Sequence, residues 1–327
     1  MLVLENGTYL GGISGGCLEG DALRRAQKAI TLGRSSVVTY DTTRDDHHQI
    51  GIGLGCNGVI DVLFTPLDPA DEQNPVRRLW GLPETRTPRA LTAVTACAMP
   101  NLLGEMTNYE DDHAFLKTFP MPEIAPLVLA DVKKGLLEQT SRTMSYALSD
   151  GSEARIFIEI VLPAIHLVMY GGNNDIYPLG RIAKELGWKT SVVTNAHKAQ
   201  KALFALADKV VHNRGEEQPL VDAYTAVILM THDYKSDFAQ LPRVLQTEAR
   251  YIGMLGPRKR AQKMFDALAD EGAPVSEVDM KRIYSPAGLD IGALGPEEIA
   301  LSIAAEIRSC FSGRNGGSLR LRERPIH

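Results

Sequence analysis

The chain has 327 residues, 44% of them hydrophobic and 23% charged, which is the composition of a globular protein with about two domains of roughly 150 residues each. Its net charge of −5, a pI near 5.9 and the lack of a long basic block argue against nucleic acid as the main partner. No secretory signal and no apolar run of membrane-spanning length is recognisable, so we expect a soluble, cytoplasmic protein.

A Gly-rich loop over 11–20 carries Cys17. It follows a predicted hairpin, in which an Asn-Gly turn joins strands over 1–4 and 8–13, and it leads into a predicted helix over 21–30. Glycine lets the backbone approach a ligand closely, and the first turn of a helix presents unpaired N–H groups to an anion. The loop is therefore a candidate ligand site.

A second Gly-rich loop, over 51–58, carries Cys56. It follows a predicted strand over 36–40 and precedes an apolar run over 59–64. Two thiols on glycine loops within one region predict a single site built from two pieces. Cys17 and Cys56 are not spaced as C-x-x-C, so a structural zinc site is not indicated.

The remaining cysteines and a histidine run are assigned structural roles. Cys97 lies in a predicted strand and Cys310 in a predicted helix, where both are expected to fill the core. Four scattered cysteines do not suggest a disulfide framework, so reduced thiols are expected. The run DDHH over 45–48 has the composition of a metal cluster, but adjacent residues in an extended segment point in opposite directions. A solvated loop is favoured there, and we predict no metal site.

The rest of the first half mixes strands and helices without strict alternation. A polar connection over 66–89 leads into it. The predicted elements are a helix over 74–79, a strand over 91–97, a helix over 126–138 and a strand over 155–161. This pattern predicts an N-terminal α+β domain over 1–163.

From residue 164 onward, apolar strands alternate strictly with amphipathic helices. The predicted strands lie over 165–170, 190–194, 209–211, 226–230 and 251–254. The predicted helices lie over 177–186, 198–207, 237–245, 258–271 and 296–307. Such alternation is typical of parallel strands with crossover helices. We therefore predict an α/β protein whose C-terminal domain, over 164–327, is a Rossmann-like, doubly wound parallel sheet.

The loop after the first strand of that sheet stands where a Rossmann phosphate loop belongs. It contains Gly171, Gly172, Asn173 and Asn174, so that the second fingerprint glycine is replaced by asparagine. The acid expected at the end of the next strand is replaced by Asn195. Two interpretations stay open, a bound dinucleotide and a loop that has lost its ligand.

Three further features are candidates to complete a site. His232 and Asp233 follow a strand at the edge where open α/β sheets bind ligands, and they either act on protons or phosphate or form a polar loop with a helix cap. Arg258 opens a cationic helix start, which an anionic ligand would offset, although a solvated face is the favoured alternative. Asp290 belongs to a glycine loop before another predicted helix, a weak signal by itself.

The loop over 12–19, GISGGCLE, resembles the S-G-G-C-x-E signature of the XdhC/CoxI family, accessory proteins of molybdenum hydroxylases such as xanthine dehydrogenase and carbon monoxide dehydrogenase. The loop over 51–58 resembles the second Gly/Cys loop of that family. The resemblance continues over 170–175, 231–234, 251–260, 285–292 and 316–320. It covers nearly the whole chain in one consistent order.

The resemblance implies a maturation chaperone rather than a turnover enzyme. Such a protein binds the molybdenum cofactor, molybdopterin, assists its sulfuration with a cysteine desulfurase and hands it to an apo molybdenum hydroxylase, often as a homodimer. The first-domain residues assigned to the cofactor are Ser14, Gly15, Gly16, Cys17, Glu19, Gly55, Cys56, Asn57 and Gly58. The second-domain candidates are Gly171, Gly172, Asn173, Asn174, Arg258 and Asp290, and the candidate catalytic residues are Cys17, Cys56, His232 and Asp233.

The chain departs from the family at three points. The family usually has further sequence before the segment that matches Met1, it commonly shows G-A-G-H at the positions over 171–174, and it usually has Asp where Asn195 stands.

Two rival functions are kept. One is an NAD(P)-dependent oxidoreductase, which the Rossmann topology favours if dinucleotide binding is real, and the other is a partner-binding scaffold without ligand chemistry.

Overall fold

The computed structural model describes residues 1–14, 16–41, 58–197, 199–213 and 217–323, and the chain divides into two units, 1–163 and 164–327. Within these ranges, no helix combines the length and the apolar character that crossing a membrane requires. The predicted α/β class is confirmed, with antiparallel strands and helices in the first unit and a parallel sheet in the second.

The first unit contains short antiparallel ladders and a four-stranded sheet. Its described strands are β1 (Leu2–Val3), β2 (Tyr9–Leu10), β3 (Ser36–Asp41), β4 (Val59–Phe64), β5 (Arg89–Ala96), β6 (Met106–Tyr109), β7 (Arg142–Ala147) and β8 (Glu153–Val161). Its described helices are α1 (Glu19–Leu32), α2 (Pro75–Leu79), α3 (Asp112–Thr118) and α4 (Ala125–Glu138). β1 pairs with β2, β3 pairs with β4, and the larger sheet has the order β6-β5-β8-β7.

The core of the first unit lies between that sheet and α3 and α4. Alternate residues of β8 are buried, among them Ile156 and Ile158, as the period of two predicts for a sheet with one covered face. Val128 and Val132, one turn apart on α4, are fully buried in the same cluster, together with Phe115 of α3.

The second unit alternates strand and helix throughout. Its described strands are β9 (His166–Tyr170), β10 (Lys189–Thr194), β11 (Lys209–His212), β12 (Thr225–Leu229), β13 (Tyr251–Met254) and β14 (Ile283–Tyr284). Its described helices are α5 (Ile176–Glu185), α6 (Lys201–Leu206), α7 (Tyr234–Leu245), α8 (Arg258–Asp270), α9 (Glu277–Met280) and α10 (Pro296–Phe311).

All pairings in this sheet are parallel, and the strand order is β11-β10-β9-β12-β13-β14. Numbered along the chain from β9, this is the order 3-2-1-4-5-6 of the Rossmann fold. The central strands β9 and β12 are buried over most of their length, because helices cover both faces: α5 and α10 pack on one, and α7 and α8 on the other. The order reverses between β9 and β12, and this switch point positions the cleft described below.

The structure contains elements that the sequence patterns do not predict. These are β6, β7, β14, α3 and α9. β6 and β7 are short and carry polar residues among their apolar ones, and they are held in the sheet by pairing with β5 and β8. α7 begins at Tyr234, earlier than the predicted start at 237, because Asp233 caps it.

Candidate functional site

The loop before α1 is folded around the carboxylate of Glu19. Its Oε1 accepts hydrogen bonds from the N–H groups of Ile13 (3.1 Å) and Ser14 (2.7 Å), and its Oε2 accepts one from the Ser14 hydroxyl (2.7 Å). The Ser14 hydroxyl accepts the N–H of Leu18 at 3.1 Å. Leu18 precedes α1 and offers no side-chain cap, so Ser14 and Glu19 close the loop at the helix start.

These hydrogen bonds stabilise the charged form of Glu19. The Ser14 hydroxyl makes the largest contribution, and together with the backbone N–H groups it lowers the pKa of Glu19 from 4.5 to about 2. The family resemblance assigns these two residues to the cofactor, and in the structure their polar groups form hydrogen bonds inside the loop. Gly16, also a predicted ligand residue, has φ 110°, a conformation that glycine adopts readily.

Cys17 presents an exposed thiol from this loop, beside Leu18, which is 3% exposed and anchors the segment. Gly58 directly precedes β4. The other predicted loop residues lie outside the described part of the chain: Gly15, Gly55, Cys56 and Asn57, as does the run over 45–48. The site built from two cysteine loops therefore stays a prediction.

In the second unit, a cleft of about 960 Å³ opens at the carboxyl ends of β9, β10 and β12. It lies at the switch point of the sheet, where open α/β folds bind ligands. Its lining comes from the loops after these strands and after β11, and from α7: Tyr170, Gly171, Gly172, Asn173, Val193, Thr194, Asn195, Ala199, Asn213, Thr231, Asp233, Lys235, Ser236, Ala239, Gln240 and Arg243.

The two positions after β9 must be glycine, because neighbouring atoms lie too close to leave room for a Cβ. A Cβ at Gly171 would lie 2.7 Å from the Met230 carbonyl oxygen, and a Cβ at Gly172 would lie 2.5 Å from Oγ1 of Thr194. Gly171 also has φ 151°, which side chains rarely adopt. The predicted glycine positions therefore form the floor of the cleft, where any side chain would collide with the neighbouring strands.

The loop after β9, part of which lines the cleft, contains backbone N–H donors that the fold leaves available. Among the described residues, the N–H groups of Gly172, Asn173, Asn174 and Asp175 have no hydrogen-bond partner, and α5 begins directly after them without a side-chain cap. The Asn173 side chain instead donates to the Thr231 carbonyl oxygen at 3.2 Å and joins the loops after β9 and β12. Such a run of amides at the start of a helix suits a phosphate group.

Two cations on α7 face the same cleft. Lys235 and Arg243 line it, two helical turns apart, with Ala239 between them at the i, i+4 spacing. Neither forms a salt bridge among the described residues. The sequence patterns did not single them out, although their spacing on a helix that follows a cleft-forming loop was a usable signal.

The loop after β12 is held by a buried ion pair. Asp237 is 2% exposed, accepts the hydroxyl of Thr231 at 2.7 Å and pairs with Arg260 at 2.6 Å. Burial raises the pKa of Asp237, although the Thr231 hydrogen bonds and Arg260 act in the opposite direction. Arg260 is the cation in the first turn of α8 that contacts this loop, whereas Arg258 is exposed.

Asp233 and His232 have separate partners. The Asp233 carboxylate accepts the N–H of Ser236 at 2.7 Å and caps α7, and this hydrogen bonding lowers its pKa. The His232 Nε2 atom lies 2.5 Å from a carboxylate oxygen of Asp175, and the backbone of His232 has φ 59°, uncommon for a non-glycine residue. The imidazole is thus directed to the loop after β9 and not to Asp233.

Three of the predicted residues do not line the cleft. Arg258 and Asp290 are exposed in the described structure, and Asn174 contributes to the loop through its backbone. The loop of Asp290 is fixed instead by α10, where the Ser302 hydroxyl donates to the Leu289 carbonyl oxygen and Glu306 accepts the N–H of Gly288 at 2.8 Å. Cys310 lies in α10 and packs beside the core of the second unit, as predicted.

A parallel sheet of order 3-2-1-4-5-6, with a glycine loop and a polar cleft at its switch point, defines a Rossmann-type domain. The family model described as the XdhC Rossmann domain matches residues 167–307, and the model described as the XdhC and CoxI family matches residues 1–41. The chain belongs to the XdhC/CoxI family, which confirms the family resemblance, and the first Gly/Cys loop lies within the matched residues whereas the loop over 51–58 lies outside them.

Named relatives are similar over most of the chain. A protein of Bacillus subtilis (strain 168), named as a probable subunit of xanthine dehydrogenase, is 28% identical over 318 residues, 94% of this chain and 86% of the relative. The molybdenum cofactor insertion chaperone PaoD of Escherichia coli (strain K12) is 23% identical over 309 residues, 94% of this chain and 76% of the relative. The crystal structure of a xanthine dehydrogenase from Bacillus halodurans matches with a TM-score of 0.70 at 26% identity, covering 97% of this chain and 87% of that chain.

Proposed function

We propose that this protein binds the molybdenum cofactor, assists its sulfuration and inserts it into a molybdenum hydroxylase of the xanthine dehydrogenase type. The observation that carries the proposal is the cleft of about 960 Å³ at the switch point, in a chain of the XdhC/CoxI family. Its relatives include a protein named as a molybdenum cofactor insertion chaperone, which supports the same role.

The residues of the cleft suit the phosphate of such a cofactor. The free N–H groups after Gly171 provide hydrogen-bond donors, and Lys235 and Arg243 provide positive charge. Gly172 keeps the floor open, because a Cβ there would occupy the space beside Thr194. The cofactor itself supplies the metal chemistry once it reaches the hydroxylase. The contribution of this chain is to bind, orient and release it.

The exposed thiol of Cys17 suits contact with a molybdenum or sulfur centre, since both are soft partners for cysteine sulfur. The closed Ser14–Glu19 loop holds that thiol at the surface of the first unit. We assign the equivalent role on the second loop to Cys56. The partners of the proposal are an apo hydroxylase, a cysteine desulfurase and a second copy of this chain, and its location is the cytoplasm.

The alternative function is an NAD(P)-dependent oxidoreductase. The Rossmann topology favours it. Two residues count against the use of NAD, since Asn173 replaces the second fingerprint glycine and Asn195 replaces the acid that holds the adenosine ribose. A cofactor-delivery role fits these replacements better.

Copurification tests the proposal. The full-length protein is isolated from a host that makes the cofactor, and molybdenum and oxidised pterin are measured per chain. We expect both with the wild-type protein and a loss of most of each in Cys17→Ala and Cys56→Ala. Cys97→Ala and Cys310→Ala are the matched controls and are expected to retain both, because these thiols lie beside the two cores.

Two outcomes would contradict parts of the proposal. Wild-type protein that carries tightly bound NAD and no molybdenum supports the oxidoreductase. Full retention of molybdenum by Cys17→Ala and Cys56→Ala removes the two thiols from the site while cofactor binding itself stands.

A further inference from the structure

The residue at the end of β10 occupies the position that contacts the ribose in Rossmann domains that bind NAD. Asn195 lines the cleft directly after β10, at the position where Rossmann domains that bind NAD carry a carboxylate. Its Oδ1 accepts the N–H of His197 at 3.2 Å, so this oxygen is engaged within its own loop. The side-chain amide group has no hydrogen-bond partner among the described residues.

A carboxylate at this position selects the sugar in two ways. It accepts hydrogen bonds from the ribose hydroxyl groups, and its charge repels a phosphate at the 2′ position. Asn195 carries no charge, so it does not repel a 2′-phosphate, and its free amide group offers a ribose hydroxyl oxygen only a neutral hydrogen bond, which is weaker than one to a carboxylate. A ligand in this cleft therefore gains little from its 2′-hydroxyl.

The phosphates carry the recognition instead. Lys235 and Arg243 bring two positive charges to the cleft, and one carboxylate, that of Asp233, lines it as the charged cap of α7. The free amides of 172–175 lie on the loop after β9, and Gly172 and Asn173 of this loop line the cleft. Two cations and the two free amides of Gly172 and Asn173 line one cleft, which suits two linked phosphate groups better than one.

The structure assigns this cleft to a nucleoside diphosphate group that is held by its phosphates and is not selected at the ribose 2′ position. The inference rests on the proposed function in taking this group as the nucleotide part of the molybdenum cofactor. The volume of about 960 Å³ accommodates a ligand of that size.

Titration calorimetry on the full-length protein tests the assignment. The probes are inorganic pyrophosphate, the four common ribonucleoside diphosphates, and the 2′-deoxy counterpart of whichever of them binds most tightly. We expect the wild-type protein to bind pyrophosphate and to bind the ribo and deoxy forms with Kd values within about threefold of each other. Lys235→Gln and Arg243→Gln are each expected to weaken pyrophosphate binding by about tenfold.

Asn195→Asp is the decisive variant, because it restores the carboxylate. We expect it to prefer the ribo form over the deoxy form by about tenfold, as one charge-assisted hydrogen bond predicts. Lys259→Gln is the matched control, since Lys259 is exposed on α8 away from the cleft lining, and its Kd values should equal those of the wild-type protein.

Three results would overturn the inference: no pyrophosphate or nucleoside diphosphate binding, a tenfold preference of the wild-type protein for the ribo form, or equal behaviour of Arg243→Gln and Lys259→Gln. The molybdenum measurement separates the two proposals. Nucleotide binding without copurified molybdenum refutes the proposed function and leaves the cleft assignment standing. Copurified molybdenum without nucleotide binding refutes the cleft assignment and leaves the proposed function standing.

Discussion

Glu19 and Cys17 lie in the same loop and have different roles there. The Glu19 carboxylate accepts three hydrogen bonds from the segment before it, so its charge is used to hold the loop in one conformation. Cys17 is the exposed residue that this conformation presents. A side chain that matches a family signature can therefore contribute by shaping the loop, without contact with the ligand.

At the residue scale, we predict that Glu19→Gln loosens the loop. In the amide an NH₂ donor replaces the acceptor Oε2, so the Ser14 hydroxyl loses its acceptor and the backbone N–H groups of Ile13 and Ser14 lose a charged one. Amide hydrogen exchange at Ile13, Ser14 and Leu18 should accelerate by at least about fivefold. Glu5→Gln, at an exposed position, is the control and should leave these rates unchanged. Equal protection in both variants would show that the carboxylate does not hold the loop.

The pH dependence of this effect follows from the lowered pKa of Glu19. Because the folded-state pKa is about 2 and the ordinary value is 4.5, the stabilisation by the carboxylate is complete above pH 4.5 and is lost as the pH falls toward 2. The ratio of exchange rates between Glu19→Gln and the wild-type protein should therefore be largest at neutral pH and approach one in acid.

At the scale of the element, α7 combines structure and recognition. Its N-terminus is capped by Asp233, its buried face carries Asp237 and Leu241, and its cleft face carries Lys235 and Arg243. The hydroxyl of Thr231 binds Asp237 and thereby couples the loop after β12 to the first turn of the helix. One helix thus fixes the loop geometry and supplies the charge of the cleft wall.

Two substitutions distinguish the helix-capping role of Asp233 from an effect of its charge on the ligand. Asn is as good a helix cap as Asp, whereas Ala cannot accept the N–H of Ser236. We expect Asp233→Asn to retain the Tm and the molybdenum content of the wild-type protein, and Asp233→Ala to lower the Tm by about 2–4 °C. Differential scanning calorimetry measures the Tm of each variant, and metal determination measures its molybdenum content. Loss of molybdenum from a stably folded Asp233→Asn protein would instead indicate that the charge of this carboxylate acts on the ligand.

At the scale of the whole molecule, each unit has its own core. The first is built on Ile156 and Ile158 of β8 with the helices that cover them, and the second has clusters on both faces of its parallel sheet, including Ile228 of β12. Domains with separate cores commonly unfold as separate units. We therefore propose that the divisions at 1–163 and 164–327 are independent folding units.

Matched core substitutions test that division. Ile156 and Ile228 are both fully buried, and Ile→Ala at either site is expected to cost about 2–5 kcal/mol. Calorimetry should resolve more than one transition, with Ile156→Ala lowering one and Ile228→Ala lowering another. A single transition that both variants shift equally would show one cooperative unit.

The Rossmann-type unit is largely predictable because its information is local. The period of the hydrophobic pattern along the sequence predicts the apolar strands and the amphipathic helices. The glycines after β9 mark a loop that neighbouring strands approach closely at the switch point. Short strands such as β6 and β7 carry no clear period and are not predicted, since their stability comes from pairing with β5 and β8.

The amino-acid sequence alone encodes the family signature, the α/β class and the loops on which ligand chemistry is concentrated. The contacts of the side chains in those loops are set by the tertiary structure. His232 meets Asp175, a residue 57 positions away, and Arg260 pairs with Asp237, 23 positions away. The physical reason is that such a hydrogen bond or ion pair forms only when distant strands become neighbours in the fold. The local hydrophobic pattern does not predict which strands those are. The Gly loop of Cys17 shows the same principle at short range, because its signature residue Glu19 faces its own backbone.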